Sequence, residues 1–184
     1  MPPACCASPT LAIDSAPESI EWANGNAMSQ TLQTLAIKHP RLKTLRTFWD
    51  LTRGSRRYPA RADFAFKDLR QWLGHVALLD VVQRPLRFRV RLLGTRLVEF
   101  AGRDYTGEWL DECFAPDQVD DALEPYIACI KTGSPVFRIS RDGSPRATKS
   151  ALERLLLPCS SDQKTIDIVL AGTYVESETS DSLR

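Results

Sequence analysis

Residues 86–94 read Leu-Arg-Phe-Arg-Val-Arg-Leu-Leu-Gly, and this stretch decides the fold class of the chain. Its apolar side chains alternate with arginines, which is the period of a β-strand with one buried face and one wet face. The segment before it, residues 75–82, is also apolar and rich in valine and leucine. Gln83-Arg84-Pro85 separates the two segments and turns the chain. The pattern therefore predicts an antiparallel hairpin that stops at Gly94.

Short helices are predicted after this hairpin, because the apolar period changes from two to about 3.6 residues. Residues 95–101 form the first candidate, and a second starts at Asp104. The longer stretch 117–132 is predicted to be a regular helix, and Gly133 ends it. One face of that helix carries Val119, Leu123, Tyr126 and Ile130. The middle of the chain is therefore helical.

Three further strands are predicted towards the C-terminus, over residues 135–140, 151–159 and 165–175. Asp142-Gly143 is a strong hairpin turn between the first two. Strands joined by hairpins imply an antiparallel sheet, and helices grouped between the strands should cover one face of it. The expected fold class is α+β, with five strands.

An amphipathic helix is predicted ahead of the sheet, between Pro40 and Gly54. Its apolar residues recur at helical spacing and are Leu42, Leu45, Phe48 and Trp49. A short helical turn is expected over residues 66–73, with Asp63 as its cap. The sheet domain is therefore preceded by a flanking helix and a connector.

The chain is expected to divide into four segments. Residues 1–27 are rich in Ala, Pro, Ser and Asn and are expected to be a disordered extension, with the natural start at Met28. Residues 28–65 hold the flanking helix and connector, residues 66–176 the sheet domain, and residues 177–184 a flexible tail.

Five short motifs carry a family resemblance. They are Phe48-Trp49-Asp50, Arg53-Gly54, Pro59-Ala60-Arg61-Ala62-Asp63, Phe88-Arg89-Val90-Arg91-Leu92-Leu93-Gly94-Thr95 and Gly102-Arg103-Asp104-Tyr105-Thr106-Gly107. Together they resemble the PAS fold, and most closely a bacterial subgroup of PAS-domain proteins with a helix ahead of the domain. The resemblance covers residues 40–176. It implies a five-stranded antiparallel sheet curved around a cavity that short helices close.

The resemblance also implies a function, which is a stand-alone sensory or regulatory module. The cytoplasm is the expected location because residues 1–10 do not read as a secretory signal, and an enzyme is not expected because the common catalytic motifs do not occur. The module would bind a small ligand or a signalling partner. It would transmit the signal through the helix at residues 40–53, by a shift between two packings of that helix. The alternative is a protein-interaction adaptor with a filled core and no ligand. A homodimer or a signalling-protein partner is expected.

The candidate ligand site is an apolar cavity with a few polar groups. Its candidate residues are Phe88, Val90, Phe100, Trp109, Tyr126 and Phe137, with Arg138 as a possible polar anchor. The alternative is that these side chains simply fill the core. Trp49 and Arg53 are the residues expected to dock the flanking helix.

Other chemistry finds little support in the sequence. Motifs of the common hydrolase, nucleotide-binding and zinc-protease sites do not occur, and the sequence has 2 histidines. Its 5 cysteines form no Cys-x-x-Cys pair, so a metal site is not expected. Among PAS relatives, haem is typically bound by a histidine on the long helix, and residues 117–132 contain none. Flavin photochemistry typically uses an Asn-Cys-Arg setting, which Glu112-Cys113-Phe114 lacks. Both cofactors are therefore disfavoured.

Charge is segregated along the chain although the net charge is only +1. Residues 38–61 are basic, with Asp50 as their single acid, and residues 99–124 are acidic, with Arg103 as their single base. Complementary charges can fix how two surfaces associate. The flanking helix is expected to dock on an acidic surface, either of its own domain or of a partner subunit. Nucleic acid is an unlikely partner, and no apolar stretch is long enough for a membrane span.

Overall fold

The computed structural model describes residues 37–65, 67–141 and 151–175, which fold around one five-stranded sheet. The strands are β1 (Val76–Gln83), β2 (Leu86–Leu93), β3 (Val136–Arg141), β4 (Ala151–Cys159) and β5 (Ile168–Val175). Their order across the sheet is β2-β1-β5-β4-β3, and every neighbouring pair is antiparallel. The predicted α+β class and the predicted five-stranded antiparallel sheet are confirmed.

Among the described residues, three α-helices accompany the sheet: α1 (Pro40–Arg53), α2 (Thr95–Ala101) and α3 (Val119–Thr132). The boundaries of α1 follow from its end residues. The His39 side chain caps the helix by accepting a hydrogen bond from the backbone nitrogen of Arg41, at 3.2 Å. Pro40 fits the first turn because its missing N–H would have no partner there. Gly54 ends the helix at a φ of 57°, which glycine adopts without strain.

The sheet carries α1 on one face and the other two helices on the opposite face. A Cβ atom at Gly172 would lie 2.6 Å from Leu45 Cδ2 and 2.9 Å from Leu42 Cδ2, so α1 packs directly on the backbone of β5. The neighbours of this glycine, Ala171 and Thr173, line a cavity on the other side. Successive residues of a strand point to opposite faces. The sheet therefore separates α1 from the cavity.

Two contacts fix α1 to the sheet in addition to its leucines. The buried carboxylate of Glu153, in β4, accepts hydrogen bonds from the backbone nitrogens of Lys38 (3.1 Å) and His39 (2.9 Å). At the other end of the helix, the indole nitrogen of Trp49 donates to the Pro158 carbonyl oxygen at 3.0 Å. Both ends of α1 are thus bonded to the same strand.

The expectation that α1 docks on an acidic surface of its own domain is wrong. The helix packs through its apolar side chains, and the acidic stretch 99–124 belongs to α2, α3 and the segment between them, on the cavity face. Two arginines of the helix pair with an acid of the helix itself: Arg46 and Arg53 both contact Asp50, at 2.8 and 3.1 Å. Apolar burial therefore determines the docking. Docking on an acidic surface of a partner remains a prediction.

The last strand begins later than predicted, at Ile168 rather than at residue 165. The Asp162 carboxylate accepts hydrogen bonds from the backbone nitrogens of Lys164 (2.8 Å) and Thr165 (2.7 Å). These bonds lower the pKa of Asp162 to about 2. They also use the amides that a strand ladder would need, so the segment stays a turn.

Two predicted helical turns also differ from the structure. Asp63 caps no following helix, because its carboxylate accepts from the backbone nitrogen of Ala60, at 2.8 Å, within the 3-10 helix Arg61–Asp63. Residues 67–72 form turns, and a 3-10 helix follows at Leu73–His75. No helix starts at Asp104 either, because its carboxylate accepts a hydrogen bond from the backbone nitrogen of Thr106, at 2.9 Å, and closes a turn. The helical segment that follows is the 3-10 helix Leu110–Glu112. Short aspartate–backbone bonds favour turns over longer helices here.

The long helix begins at Val119, two residues later than predicted. The expectations for residues 1–27, Met28, residues 142–143 and residues 177–184 lie outside the part of the chain that the structure describes. Within that part, none of the helices has the length and apolar character to cross a bilayer.

Candidate functional site

A cavity of about 1080 Å³ lies between the sheet and the helices of its second face. Its floor is formed by small and branched apolar residues of β1, β2 and β5: Ala77, Leu79, Val90 and Ala171. Leu97 and Phe100 of α2 and Leu110 of the last 3-10 helix form the opposite wall. The volume is slightly above the range of about 300–1000 Å³ that is usual for small-molecule sites. The cavity has room for an organic ligand.

Four of the seven predicted site residues line this cavity. Val90 lies on the floor, Phe100 on the α2 wall, Tyr126 on α3 and Arg138 on β3. Phe100 is exposed although it is large and apolar, because it borders the opening. The sequence pattern therefore located residues from four different elements that meet around one space.

The other three predicted residues lie outside the lining. Phe88 is buried behind Tyr126, with ring centroids 5.5 Å apart. Trp109 forms an isolated β-bridge with Arg89 at the free edge of β2, and the Arg87 guanidinium packs 4.2 Å from its ring centre. Phe137 lies next to Arg138 in β3 and therefore points to the α1 face. Phe88 therefore supports a cavity residue from behind, Trp109 covers the edge of β2, and Phe137 belongs to the other face of the sheet.

A row of polar residues crosses the cavity face of the sheet. Arg138 of β3 pairs in register with Arg154 of β4, and Arg154 pairs in register with Thr173 of β5. All three line the cavity. Arg138 is bound to Glu124 of α3, with its Nη2 atom 2.6 and 2.7 Å from the two carboxylate oxygens. Two arginines thus occupy directly opposed positions of neighbouring strands, and Arg138 is paired with a carboxylate.

Arg154 contacts an aromatic ring rather than an acid. Its Cζ atom lies 5.8 Å from the ring centre of Tyr126, whose side chain is 5% exposed. Within residues 37–65, 67–141 and 151–175, no carboxylate lies at ion-pair distance from Arg154. A cation–π contact compensates part of the charge and leaves the donors of the guanidinium available.

Sequence reasoning missed Arg154 and Thr173. The signal was present in β4, where Glu153 and Arg154 are adjacent within an otherwise apolar run, Ala151–Cys159. Adjacent strand residues face opposite ways, so two neighbouring charges inside a buried strand indicate a polar function on each face. Glu153 holds α1 on one face, and Arg154 lines the cavity on the other.

Cys113 lines the cavity next to Phe114. Its sulfur donates to the Trp109 carbonyl oxygen at 3.1 Å. Burial, together with the nearby Glu108 carboxylate, raises the pKa of this thiol to about 11. The group is therefore a protonated thiol at neutral pH and a poor nucleophile.

Slow thiol alkylation is a testable consequence of this environment. In a variant with Cys5→Ser and Cys6→Ser, we expect iodoacetamide to label Cys113 at pH 8 at least tenfold more slowly than it labels glutathione. Burial raises the pKa of Cys129 and Cys159 to about 12, so these should react no faster. A raised pKa means that thiolate appears only as pH rises, so labelling of Cys113 should accelerate about tenfold per pH unit towards pH 11. Intact-mass spectrometry measures the rates, and labelling as fast as glutathione at pH 8 contradicts the assignment.

The two residues predicted to dock the flanking helix lie together on α1. Trp49 is 3% exposed and packs on the sheet. The Arg53 guanidinium lies 5.4 Å from the Trp49 ring centre and is held by Asp50. Trp49 thus makes the sheet contact, and Arg53 covers its outer side.

Metal binding has no structural candidate in the described ranges, where no group of three or more His, Cys, Asp or Glu side chains is arranged to hold an ion.

The fold and the cavity agree with the family to which the sequence belongs. A family profile for the PAS domain matches residues 37–175, so this chain belongs to the PAS-domain family. PAS domains are generally sensory rather than catalytic, and they commonly dimerise or contact signalling proteins. Comparison with curated proteins returned no match.

Solved structures with a similar fold are distant in sequence. A LOV protein of Rhodobacter sphaeroides is 14% identical, with 64% of this chain and 69% of that chain aligned at a TM-score of 0.46. A sensory box sensor histidine kinase of Vibrio cholerae is 17% identical, with 59% and 86% aligned at 0.44. A domain of an HTR-like protein of Haloarcula marismortui is 10% identical, with 55% and 97% aligned at 0.40.

Proposed function

We propose that this PAS domain is a sensory module that binds a small molecule in its cavity and transmits the binding event through α1. The observation that carries the proposal is the cavity of about 1080 Å³ on the face of the sheet opposite to α1. An open volume of this size, lined by both apolar and polar side chains, fits an organic ligand better than it fits the alternative of a filled-core adaptor. A homodimer or a signalling protein would receive the signal.

Strand β5 supports the proposed route from the cavity to the helix. Ala171 and Thr173 line the cavity, and Gly172 between them contacts Leu42 and Leu45 of α1. A ligand that displaces β5 would change the surface on which the helix rests. Two packings of α1 that differ in stability by a few kcal/mol would then exchange populations on binding.

Cavity occupation can be tested with N-phenyl-1-naphthylamine, a neutral apolar probe whose fluorescence rises on burial. The substitution Leu97→Trp adds bulk to the α2 wall, and we expect it to weaken probe binding at least tenfold. The matched control is Leu51→Trp, because Leu51 is 76% exposed on α1 and lies outside the cavity lining. Its probe affinity should stay within twofold of the unaltered chain. Fluorescence titration measures both.

The transmission step is read out by hydrogen exchange of residues 40–53. Saturation with the probe should change the exchange of α1 amides in the unaltered chain and leave it unchanged in Leu97→Trp. No probe binding, together with a clean apo mass by native mass spectrometry in several preparations, would favour the filled-core adaptor. Binding without any change in α1 would contradict transmission through this helix.

A further inference from the structure

We infer that the ligand of this cavity is an anion, namely an acid with an apolar body whose carboxylate pairs with Arg154. This inference rests on the proposed function, because it names the chemical class of the molecule that the cavity would hold. It begins from the row Arg138, Arg154 and Thr173 on the cavity face of the sheet.

The positive charge of Arg154 in this row is not neutralised by a carboxylate in the described part of the chain. Like charges directly opposite each other on neighbouring strands are destabilising. Arg138 and Arg154 are such a pair, and Glu124 neutralises Arg138 alone. Arg154 is half-buried, so its guanidinium is partly removed from water. A ligand carboxylate would restore the balance, and its two oxygens would accept two parallel hydrogen bonds from one edge of the guanidinium.

Two further polar groups lie beside this guanidinium. The Thr173 side chain stands opposite Arg154 across β4 and β5, and Tyr126 lies under its guanidinium. Both side chains line the cavity, and neither hydroxyl donates to a protein group among the described residues. A guanidinium and two hydroxyl groups lining one cavity supply donors of the kind that a carboxylate accepts from.

The remaining acids of the cavity do not favour a cationic ligand. Glu124 is already engaged by Arg138. Asp121 is exposed in the first turn of α3, where the partial positive charge of the helix terminus stabilises a carboxylate. The floor is apolar from Ala171, two residues along β5 from Thr173, to Leu79 of β1, and it suits a hydrocarbon or aromatic body.

The inference is tested with 8-anilinonaphthalene-1-sulfonate, which has the apolar body of N-phenyl-1-naphthylamine and adds one anionic group. We expect Arg154→Gln to weaken binding of the anionic probe at least tenfold and binding of the neutral probe less than twofold. Arg154→Lys keeps the charge and loses the fork-shaped donor group, so it should lose affinity for the anionic probe, but less than Arg154→Gln does. The matched control is Arg84→Gln, an exposed residue of the β1–β2 turn that removes the same net charge away from the cavity. Thermal unfolding confirms that each variant is folded.

A second measurement uses the unaltered chain and needs no variant. Octanoate and octanamide have nearly the same size, and octanoate should displace the anionic probe at a concentration at least tenfold lower. Equal displacement by the two, or equal loss of both fluorescent probes in Arg154→Gln, would overturn the assignment of an anion and leave the cavity as a neutral ligand site. Failure of both probes to bind the unaltered chain would instead overturn the proposed function itself.

Discussion

Trp49→Ala is expected to lower the free energy of unfolding by about 3–5 kcal/mol. The side chain is almost completely buried between α1 and the sheet, and its indole nitrogen donates to the Pro158 carbonyl oxygen. Truncation removes the buried ring, leaves a void and frees that carbonyl from its partner. Urea unfolding followed by circular dichroism measures the change, because this signal does not depend on the removed fluorophore.

The matched control for this variant is Leu51→Ala, two residues further along the same helix. Leu51 is exposed, so its removal should change the stability by less than about 0.5 kcal/mol. Trp49→Phe keeps most of the apolar surface and loses the indole donor, and it should fall between the two. A loss below about 1.5 kcal/mol for Trp49→Ala would mean that α1 does not depend on this anchor.

Glu153→Ala is expected to cost about 2–4 kcal/mol, because two backbone amides lose a charged acceptor in a buried place. The carboxylate is 2% exposed and binds the amides of Lys38 and His39 at the entrance of α1. Hydrogen exchange should locate the effect, with residues 38–45 exchanging faster than the strands. Urea unfolding measures the total loss of unfolding free energy.

Two other substitutions test whether the charge and the burial of the Glu153 carboxylate account for this loss of stability. Glu153→Gln replaces the charged carboxylate with a neutral amide, whose oxygen can still accept at nearly the same position. It should therefore lose about half as much stability as Glu153→Ala. Glu124→Ala removes a carboxylate of the same type from an exposed ion pair with Arg138, and it should cost no more than about 1 kcal/mol. Equal losses in Glu153→Ala and Glu124→Ala would show that burial of the carboxylate does not matter.

The sequence predicted the elements whose signals are local. Alternation in residues 86–93 identified β2, and the proline and glycine at the ends of α1 placed that helix to the residue. The start of β5 could not be placed in this way, because it depends on a turn held by Asp162, and the apolar run gives no sign of that competition. Local patterns predict where an element can form, and side-chain bonds to the backbone decide where it begins.

The site was harder to predict than the fold because its residues come from distant segments. Tyr126 and Arg138 were identified as apolar and polar members of separate elements, and both line the cavity. Phe137 was assigned to the same place, but its position in β3 points it to the α1 face. Arg154 was missed, since its alignment with Arg138 depends on the register of β3 and β4. Register is a tertiary property that a strand's own sequence does not state.

The missing side chain at Gly172 has a consequence for the speed and directness of any response in this domain. With only a main chain between the cavity and the leucines of α1, a backbone displacement of a few tenths of an ångström would reach the helix without an intervening side chain that could absorb it by changing rotamer. Close-packed interiors transmit such strain because they compress little. The sheet at this point is therefore a thin partition between the cavity and α1.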